Sequence, residues 1–191
     1  MTLIMRVLKR NCPEVIVLIG LLWILAGCAH QSPEILPSAH LDKKSAILYG
    51  RFSIGYEFSA ENRLALWLQN LDAQSPVYIY FDPDQPVYCI AVKPGRYRVV
   101  GFVGVNRLHE IRGRREFPAS RFTVPFTASA GRQIYLGDFT GTATFDGMLS
   151  EWSVKSALNN FAETTVDLRE KYRNLATVPV GSIFESQNGP P

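Results

Sequence analysis

The sequence has few of the residues that build catalytic, metal and disulfide sites. It contains three cysteines and three histidines in 191 residues. It has no Gly-x-Ser-x-Gly elbow, no His-Glu-x-x-His motif, no phosphate-binding loop and no dinucleotide fingerprint. These absences argue against the common hydrolases, zinc peptidases and nucleotide-dependent enzymes. The sequence therefore predicts neither a metal nor a cofactor.

Excess charge is also scarce. Charged residues make up 19% of the chain, and the formal net charge is +3. Residues 1–27 contain Arg6, Lys9 and Arg10 against Glu14, a net +2, so residues 28–191 carry only +1. So small an excess gives no overall attraction to nucleic acid. The hydrophobic content of 47% is typical of a globular protein with a core.

The longest apolar run lies near the N-terminus and is short for a membrane span. Val15–Ala26 contains twelve residues without a charge, whereas a spanning helix needs roughly 20. Positive residues, among them Lys9 and Arg10, precede the run, which is typical of an export signal. The sequence therefore predicts a cleaved signal peptide. The alternative is a short signal-anchor helix in which Cys28 is a buried thiol.

The apolar run ends in Leu25-Ala26-Gly27-Cys28, which resembles the lipobox of bacterial lipoproteins. The resemblance implies that residues 1–27 are removed and that the thiol of Cys28 carries a diacylglyceryl group. Two or three acyl chains anchor a protein stably, whereas one binds only reversibly. Ala29, rather than aspartate, follows the cysteine, which by resemblance favours the outer membrane and a domain facing the periplasm. We therefore expect a cell-envelope lipoprotein held on the membrane by lipid on Cys28.

A single thiol remains for the domain itself. Cys12 leaves with the signal peptide and Cys28 is acylated, so Cys89 is left alone. One thiol forms no internal disulfide and is a poor metal site. Because Cys89 lies within the apolar run Val87–Val92, we expect it to be a small core residue.

The organisation of the chain follows from changes in its periodicity. Residues 28–45 are polar and contain two prolines, so they predict a lipidated tether. Residues 46–155 alternate apolar and polar side chains with period two, which is strand behaviour. Eight or nine short strands without intervening helices indicate an all-β domain. The expected architecture is a two-sheet antiparallel sandwich, immunoglobulin-like or transthyretin-like.

Two segments of this region share a pattern with a known class of module. They are Val92-Lys93-Pro94-Gly95-Arg96-Tyr97-Arg98-Val99 and, after Ala130-Gly131, Ile134-Tyr135-Leu136-Gly137-Asp138. The pattern resembles the Pro-Gly-x-Tyr hairpin and the following strand of transthyretin-like or carboxypeptidase-regulatory-like β-sandwiches. The resemblance implies a sandwich and a non-catalytic role, and it implies no site residues.

The period changes to that of a helix after residue 155. Asn160 and Glu163 are spaced as in a capping box, and Phe161, Thr165 and Leu168 recur at helical spacing. We therefore predict a C-terminal helix from about Phe161 to Asn174, within an extension of residues 156–184. It would pack against the sandwich or against a partner. Residues 185–191 are predicted to be a disordered tail.

The most distinctive polar feature is a cluster of five arginines within fifteen residues. Guanidinium groups bind phosphates and carboxylates through paired hydrogen bonds. The cluster is therefore a candidate site for an anionic lipid, an anionic glycan or an acidic envelope protein; the alternative is a solvated connecting loop. The five residues are Arg107, Arg112, Arg114, Arg115 and Arg121.

These features favour a lipid-anchored envelope protein that acts as a non-catalytic binding or scaffolding module. One alternative is an envelope hydrolase or modifying enzyme that uses His109, the one histidine outside the N-terminal segments. Another is a carrier for a lipid or small ligand, which would need an interior cavity of ~300 Å³ or more.

Overall fold

A computed structural model describes residues 43–56, 62–82, 84–106, 108, 110–146, 148–157 and 160–183. They belong to one compact unit and contain ten β-strands, one α-helix and two short 3₁₀ helices. The mostly-β fold with two sheets and a C-terminal helix is thereby confirmed. The strands are β1 (Ala46–Tyr56), β2 (Asn62–Asn70), β3 (Ser75–Tyr80), β4 (Val87–Val92), β5 (Gly95–Asn106), β6 (Ile111–Glu116), β7 (Phe126–Ala128), β8 (Gln133–Asp146), β9 (Met148–Ala157) and β10 (Val180–Ser182).

The first sheet contains β4, β1, β8, β9 and β10. β1 pairs with β4 and β8 pairs with β9 in antiparallel fashion, but β1 pairs with β8 and β10 pairs with β8 in parallel. The sheet is therefore mixed. The sequence had suggested a sheet that is antiparallel throughout. Parallel neighbours need a long connection, and β2 to β7 supply it between β1 and β8; of these, β4 joins the first sheet and the others build the second.

A bulge interrupts the pairing of β1 with β8 at Gly50. The φ of Gly137 on the opposite strand is +114°, a backbone conformation that favours glycine. A Cβ on Gly50 would overlap the carbonyl oxygen of Gly137 and the hydroxyl of Tyr88. Both glycines are therefore required for the close approach of these two strands.

The second sheet has the order β3-β2-β5-β6, and β7 also pairs with β5. All of its pairs are antiparallel. The Lys93-Pro94 turn does not close the expected hairpin, because β4 belongs to the first sheet and β5 to the second. The chain crosses there from one sheet to the other. By contrast, β8 and β9 are consecutive strands of one sheet and pair directly up to Asp146 and Met148.

The inner faces of the two sheets share one core that is rich in aromatic rings. Phe102 of β5 lies with its ring centroid 5.4 Å from that of Phe139 of β8 and 6.5 Å from that of Phe52 of β1. Phe117, after β6, stacks on Phe139 at 6.1 Å. Rings from both sheets therefore contact one another directly across the interface.

The α-helix α1 (Phe161–Lys171) covers the outer face of the first sheet. Leu168 and Tyr172 pack there against Tyr49, Tyr135 and Cys89, so Cys89 is the buried core residue expected. The helix ends three residues before the predicted end, and a 3₁₀ helix at Arg173–Leu175 continues the chain. These contacts explain why strands of the first sheet carry apolar residues on both faces.

The N-terminus of α1 differs from the expected capping box. Asn160 occupies the cap position, but its side chain makes no capping hydrogen bond. Glu163 instead accepts a hydrogen bond of 2.9 Å from Arg51 of β1. A charged partner on the neighbouring strand competes with the local cap, because hydrogen bonds between charged groups are stronger than neutral ones.

The segment after α1 returns to the first sheet. β10 pairs with the start of β8, and the buried amide of Gln133 donates to the carbonyl oxygen of Leu175 at 2.6 Å. Residues that follow β9 therefore contribute a strand to the same sheet. No helix among the described residues is long and apolar enough to cross a membrane.

Candidate binding face

The arginine cluster lies mainly on a strand. The sequence had offered a solvated connecting loop as one interpretation of these residues. Arg112, Arg114 and Arg115 belong to β6, whose residues are mostly exposed. Arg121 begins a 3₁₀ helix, Arg121–Thr123. Arg107 lies outside the described residues, as do His109 of the enzyme hypothesis and Cys28 of the lipobox.

The connection between β5 and β6 is organised by Asn106. Its Oδ1 accepts hydrogen bonds from the backbone N–H of Leu108 at 3.0 Å and of Glu110 at 2.9 Å. The Glu110 carboxylate accepts from Asn106 at 2.7 Å and from Arg112 at 2.9 Å. Arg112 therefore has an acidic partner, and the exposure of both groups makes this ion pair worth little stability.

The register of β6 separates the remaining two arginines. Arg114 lies opposite Val103 and Arg115 lies opposite Phe102. Directly opposed residues share a face of the sheet, and successive residues point to opposite faces. Phe102 belongs to the core between the sheets, so Arg114 is on the outer face of the second sheet and Arg115 is not.

The outer face collects two arginines that sequence reasoning missed. Arg63 of β2 lies opposite Val105, and Arg98 of β5 lies opposite Gln69. Both arginines are exposed, and no acidic partner of either side chain occurs in the described part of the chain. The sequence signal for both arginines was the alternation of core and exposed residues along each strand, because each arginine is next to a core residue. That alternation places each of them on the outer face of its own strand. That signal alone does not show that β2, β5 and β6 are neighbours.

Aromatic residues occupy the middle of this face. Trp67 of β2 lies opposite Tyr78 of β3, and Tyr80 lies opposite Ala65. Trp67 and Tyr80 are half-buried and pack against a cluster that includes Val103. The guanidinium carbon of Arg114 lies 5.2 Å from the centre of the Trp67 ring, within range of a cation–π interaction. The indole N–H of Trp67 is buried and lacks a hydrogen-bond partner among described atoms.

We name this surface the arginine–aromatic face. Three other charged residues lie near this surface. Asp72 accepts a hydrogen bond from the backbone N–H of Arg96, and Glu116 lies opposite Gly101. The surface thus keeps an excess of positive charge although the whole chain is nearly neutral. Its defining residues are Arg63, Trp67, Tyr80, Arg98 and Arg114.

A second polar cluster is buried between α1 and the first sheet. Asp138 is 1% exposed. Its carboxylate accepts from the Tyr135 hydroxyl at 2.9 Å and from the Thr164 hydroxyl at 2.8 and 3.0 Å. Asp138 therefore lies inside β8, and its carboxylate joins this strand to α1. Burial, and then the hydrogen bond to Asp138, raises the pKa of Tyr135.

The same interface contains further polar contacts to the helix. Tyr49 and Thr165 share a hydrogen bond of 2.8 Å between their hydroxyl oxygens, and burial raises the pKa of Tyr49. Arg51 forms ion pairs with Glu163 and Asp167 of α1. These contacts hold the helix against the first sheet.

Metal binding has no support in the part of the chain that is described. No group of three histidine, cysteine, aspartate or glutamate side chains there could hold a metal ion. Asp82 and Asp84 lie on the connection between β3 and β4, where the carboxylate of Asp82 accepts from the backbone N–H of Asp84 at 3.0 Å.

Comparison with known proteins identifies no family for this chain. No protein-family model matches the chain, and no curated protein sequence matches it. Among solved structures, the chain is similar to a leucine-rich repeat protein from Bacteroides thetaiotaomicron VPI-5482, with a TM-score of 0.32 and 10% identity. The likeness covers 54% of this chain and 12% of that one. At that TM-score it assigns neither a fold family nor a function to this chain.

Proposed function

We propose that the chain is a lipid-anchored lipoprotein of the bacterial cell envelope that works as a non-catalytic binding module. The proposal combines the lipobox at residues 25–28 with the arginine–aromatic face. The observation that carries the binding role is that strand pairing gathers Arg63, Arg98 and Arg114 around Trp67 on one outer face. Exposed guanidinium groups without acidic partners favour an anionic ligand.

The anchor would be the lipid on Cys28, and Ala29 after it favours the outer membrane with the domain in the periplasm. The two sheets with a common core are compatible with a β-sandwich, and we propose a module of transthyretin-like or immunoglobulin-like type with parallel pairs in its first sheet. The directly packed rings between the sheets favour a surface ligand over one held in the interior. The polar cluster at Asp138 is closed, which favours binding over catalysis.

Replacing Cys28 with alanine should abolish acylation, because no other residue supplies the thiol for the lipid. Metabolic labelling with palmitate and intact-mass measurement of the purified full chain test this. The wild type should begin at an acylated Cys28, and the variant should carry no label. Cys12→Ala and Cys89→Ala are matched controls that should keep the label. A labelled Cys28→Ala chain would contradict the anchor.

Face variants should lose the physiological partner in intact cells. We expect chemical crosslinking and detergent extraction to capture an envelope polymer or a protein with the wild type, and to capture at least tenfold less of it with the double variant Arg98→Ser, Arg114→Ser. Paired guanidinium contacts contribute about 1.5–3 kcal/mol each when the acceptor is charged. The loss of two such contacts is therefore enough to lower capture at least tenfold. Arg132→Ser is the matched control, since Arg132 is exposed at the turn before β8. Equal capture by all three proteins would refute the role of the face.

A further inference from the structure

Resting on the proposed function, we propose that the ligand of the arginine–aromatic face is an extended anionic polysaccharide. It would lie along β2, with anionic groups at Arg63, at Arg98 and at the Arg114 guanidinium that covers the Trp67 ring, and with a sugar ring over Tyr80. Three features of the face favour such a ligand: the distance between its charges, the kind of residue between them, and its lack of protruding apolar side chains.

The two outer arginines are too far apart to share one anionic group. Arg63 and Gln69 are six residues apart on β2, and Arg98 lies opposite Gln69. At ~3.3 Å per residue the two ends of the face are ~20 Å apart. A single phosphate or carboxylate cannot reach both ends. The ligand must therefore carry at least two anionic groups along an extended chain.

The residues between the two ends are suited to sugar rings. Trp67 and Tyr80 lie two residues apart on opposed strands, at the pairs Trp67–Tyr78 and Ala65–Tyr80. Aromatic side chains offer a flat apolar surface together with a polar edge, which matches the apolar and hydroxyl-bearing sides of a pyranose. The indole of Trp67 contributes no hydrogen bond to the ligand, because its N–H is buried. Arg114, above that ring, supplies a third cation between the ends.

The face lacks the protruding apolar side chains that a bilayer would need. Binding in a membrane interface depends on apolar side chains that enter the acyl boundary. Tyr, Trp and Arg are also enriched in protein interfaces, so a protein partner is an outcome that the test distinguishes. Of the described residues, the large apolar ones with high exposure are Leu108, Ile111, Val124 and Val166. Ile111 alone among them pairs onto this face, at its margin opposite Val105. The rings in the middle are half-buried against the sheet and cannot insert into a bilayer.

The test uses the full-length lipoprotein in detergent, with polygalacturonate as the probe. We expect wild-type binding that weakens with salt, and a rise in Kd of at least tenfold in the double variant Arg63→Ser, Arg98→Ser. Arg132→Ser should change Kd less than twofold. The single substitution Arg63→Ser should weaken binding of the polymer more than that of digalacturonate, because digalacturonate is too short to span the ~20 Å between the two ends and can still bind at Arg98. Neutral dextran should not bind.

The outcomes separate this inference from the function on which it rests. Binding to vesicles of anionic phospholipid but not to polygalacturonate would overturn the polysaccharide and leave an anionic binding module. A crosslinked protein partner that is lost in the face variants would likewise overturn the polysaccharide and leave the proposed binding module. Polygalacturonate binding that is equal in the double variant and in Arg132→Ser would overturn the inference as well. If neither probe binds and no face-dependent partner is captured, both the inference and the proposed function fail. Unchanged circular dichroism of the variants establishes that their fold is intact.

Discussion

Phe102→Ala should lower the free energy of unfolding by about 3–5 kcal/mol, the range for removing a buried phenylalanine. Phe102 is fully buried and its ring contacts rings from both sheets: Phe52 and Phe139 in the first, and Phe81 and Phe117 beside the second. The cavity would therefore open between the sheets. Urea unfolding of the full chain in detergent, followed by tryptophan fluorescence, measures the loss.

Phe161→Ala provides the matched control for this experiment. Phe161 begins α1, is half-buried, and packs on Tyr135 at a centroid distance of 5.4 Å. Its removal should cost clearly less than that of Phe102, because the site is open to water and the cavity term is smaller. A loss for Phe102→Ala no larger than that for Phe161→Ala would contradict the shared core between the sheets.

Asp138→Ala should lower the free energy of unfolding by about 2–4 kcal/mol and loosen α1. The substitution leaves the hydroxyls of Tyr135 and Thr164 buried without their acceptor. Each unsatisfied buried donor costs about 1–3 kcal/mol, and relief of the buried carboxylate offsets part of the sum. Hydrogen exchange should show faster exchange of amides in α1 than in β5, because the lost bonds join the helix to β8.

Asp167→Ala separates the buried network from the exposed ion pairs of the same helix. Asp167 pairs with Arg51, but its side chain is 41% exposed. We expect this variant to lose less than about 1 kcal/mol, as is usual for exposed pairs. Equal losses for Asp138→Ala and Asp167→Ala would mean that the buried carboxylate does not hold the helix.

Much of the fold was predictable because its signals are local. The alternation in β1, β2 and β3 follows from the pleat of a strand, which turns successive side chains to opposite faces. The helical spacing of Thr165 and Leu168 similarly revealed the buried side of α1. The burial of Cys89 followed from its apolar neighbours. These features depend only on residues within a few positions of one another.

The candidate site was harder to predict because it depends on pairing. Three members of the five-arginine cluster lie on β6, yet Arg114 and Arg115 are on different faces and Arg112 is paired with Glu110. Arg63 and Arg98 lie 35 residues apart along the chain and share a face because β2 pairs with β5. A shift of register by one residue would move either of them to the other face.

The sequence by itself determined most of the strands, though not β6 or β10, and it determined where α1 begins. Only the tertiary structure decided which strands are neighbours. It made β1 and β8 parallel partners, sent the Lys93-Pro94 turn from one sheet to the other, and buried Asp138 beneath α1. Side-chain alternation is a property of one strand, whereas the partner of a strand is selected by the packing of the whole core. The arginine–aromatic face is a product of that packing, because its residues come from four strands.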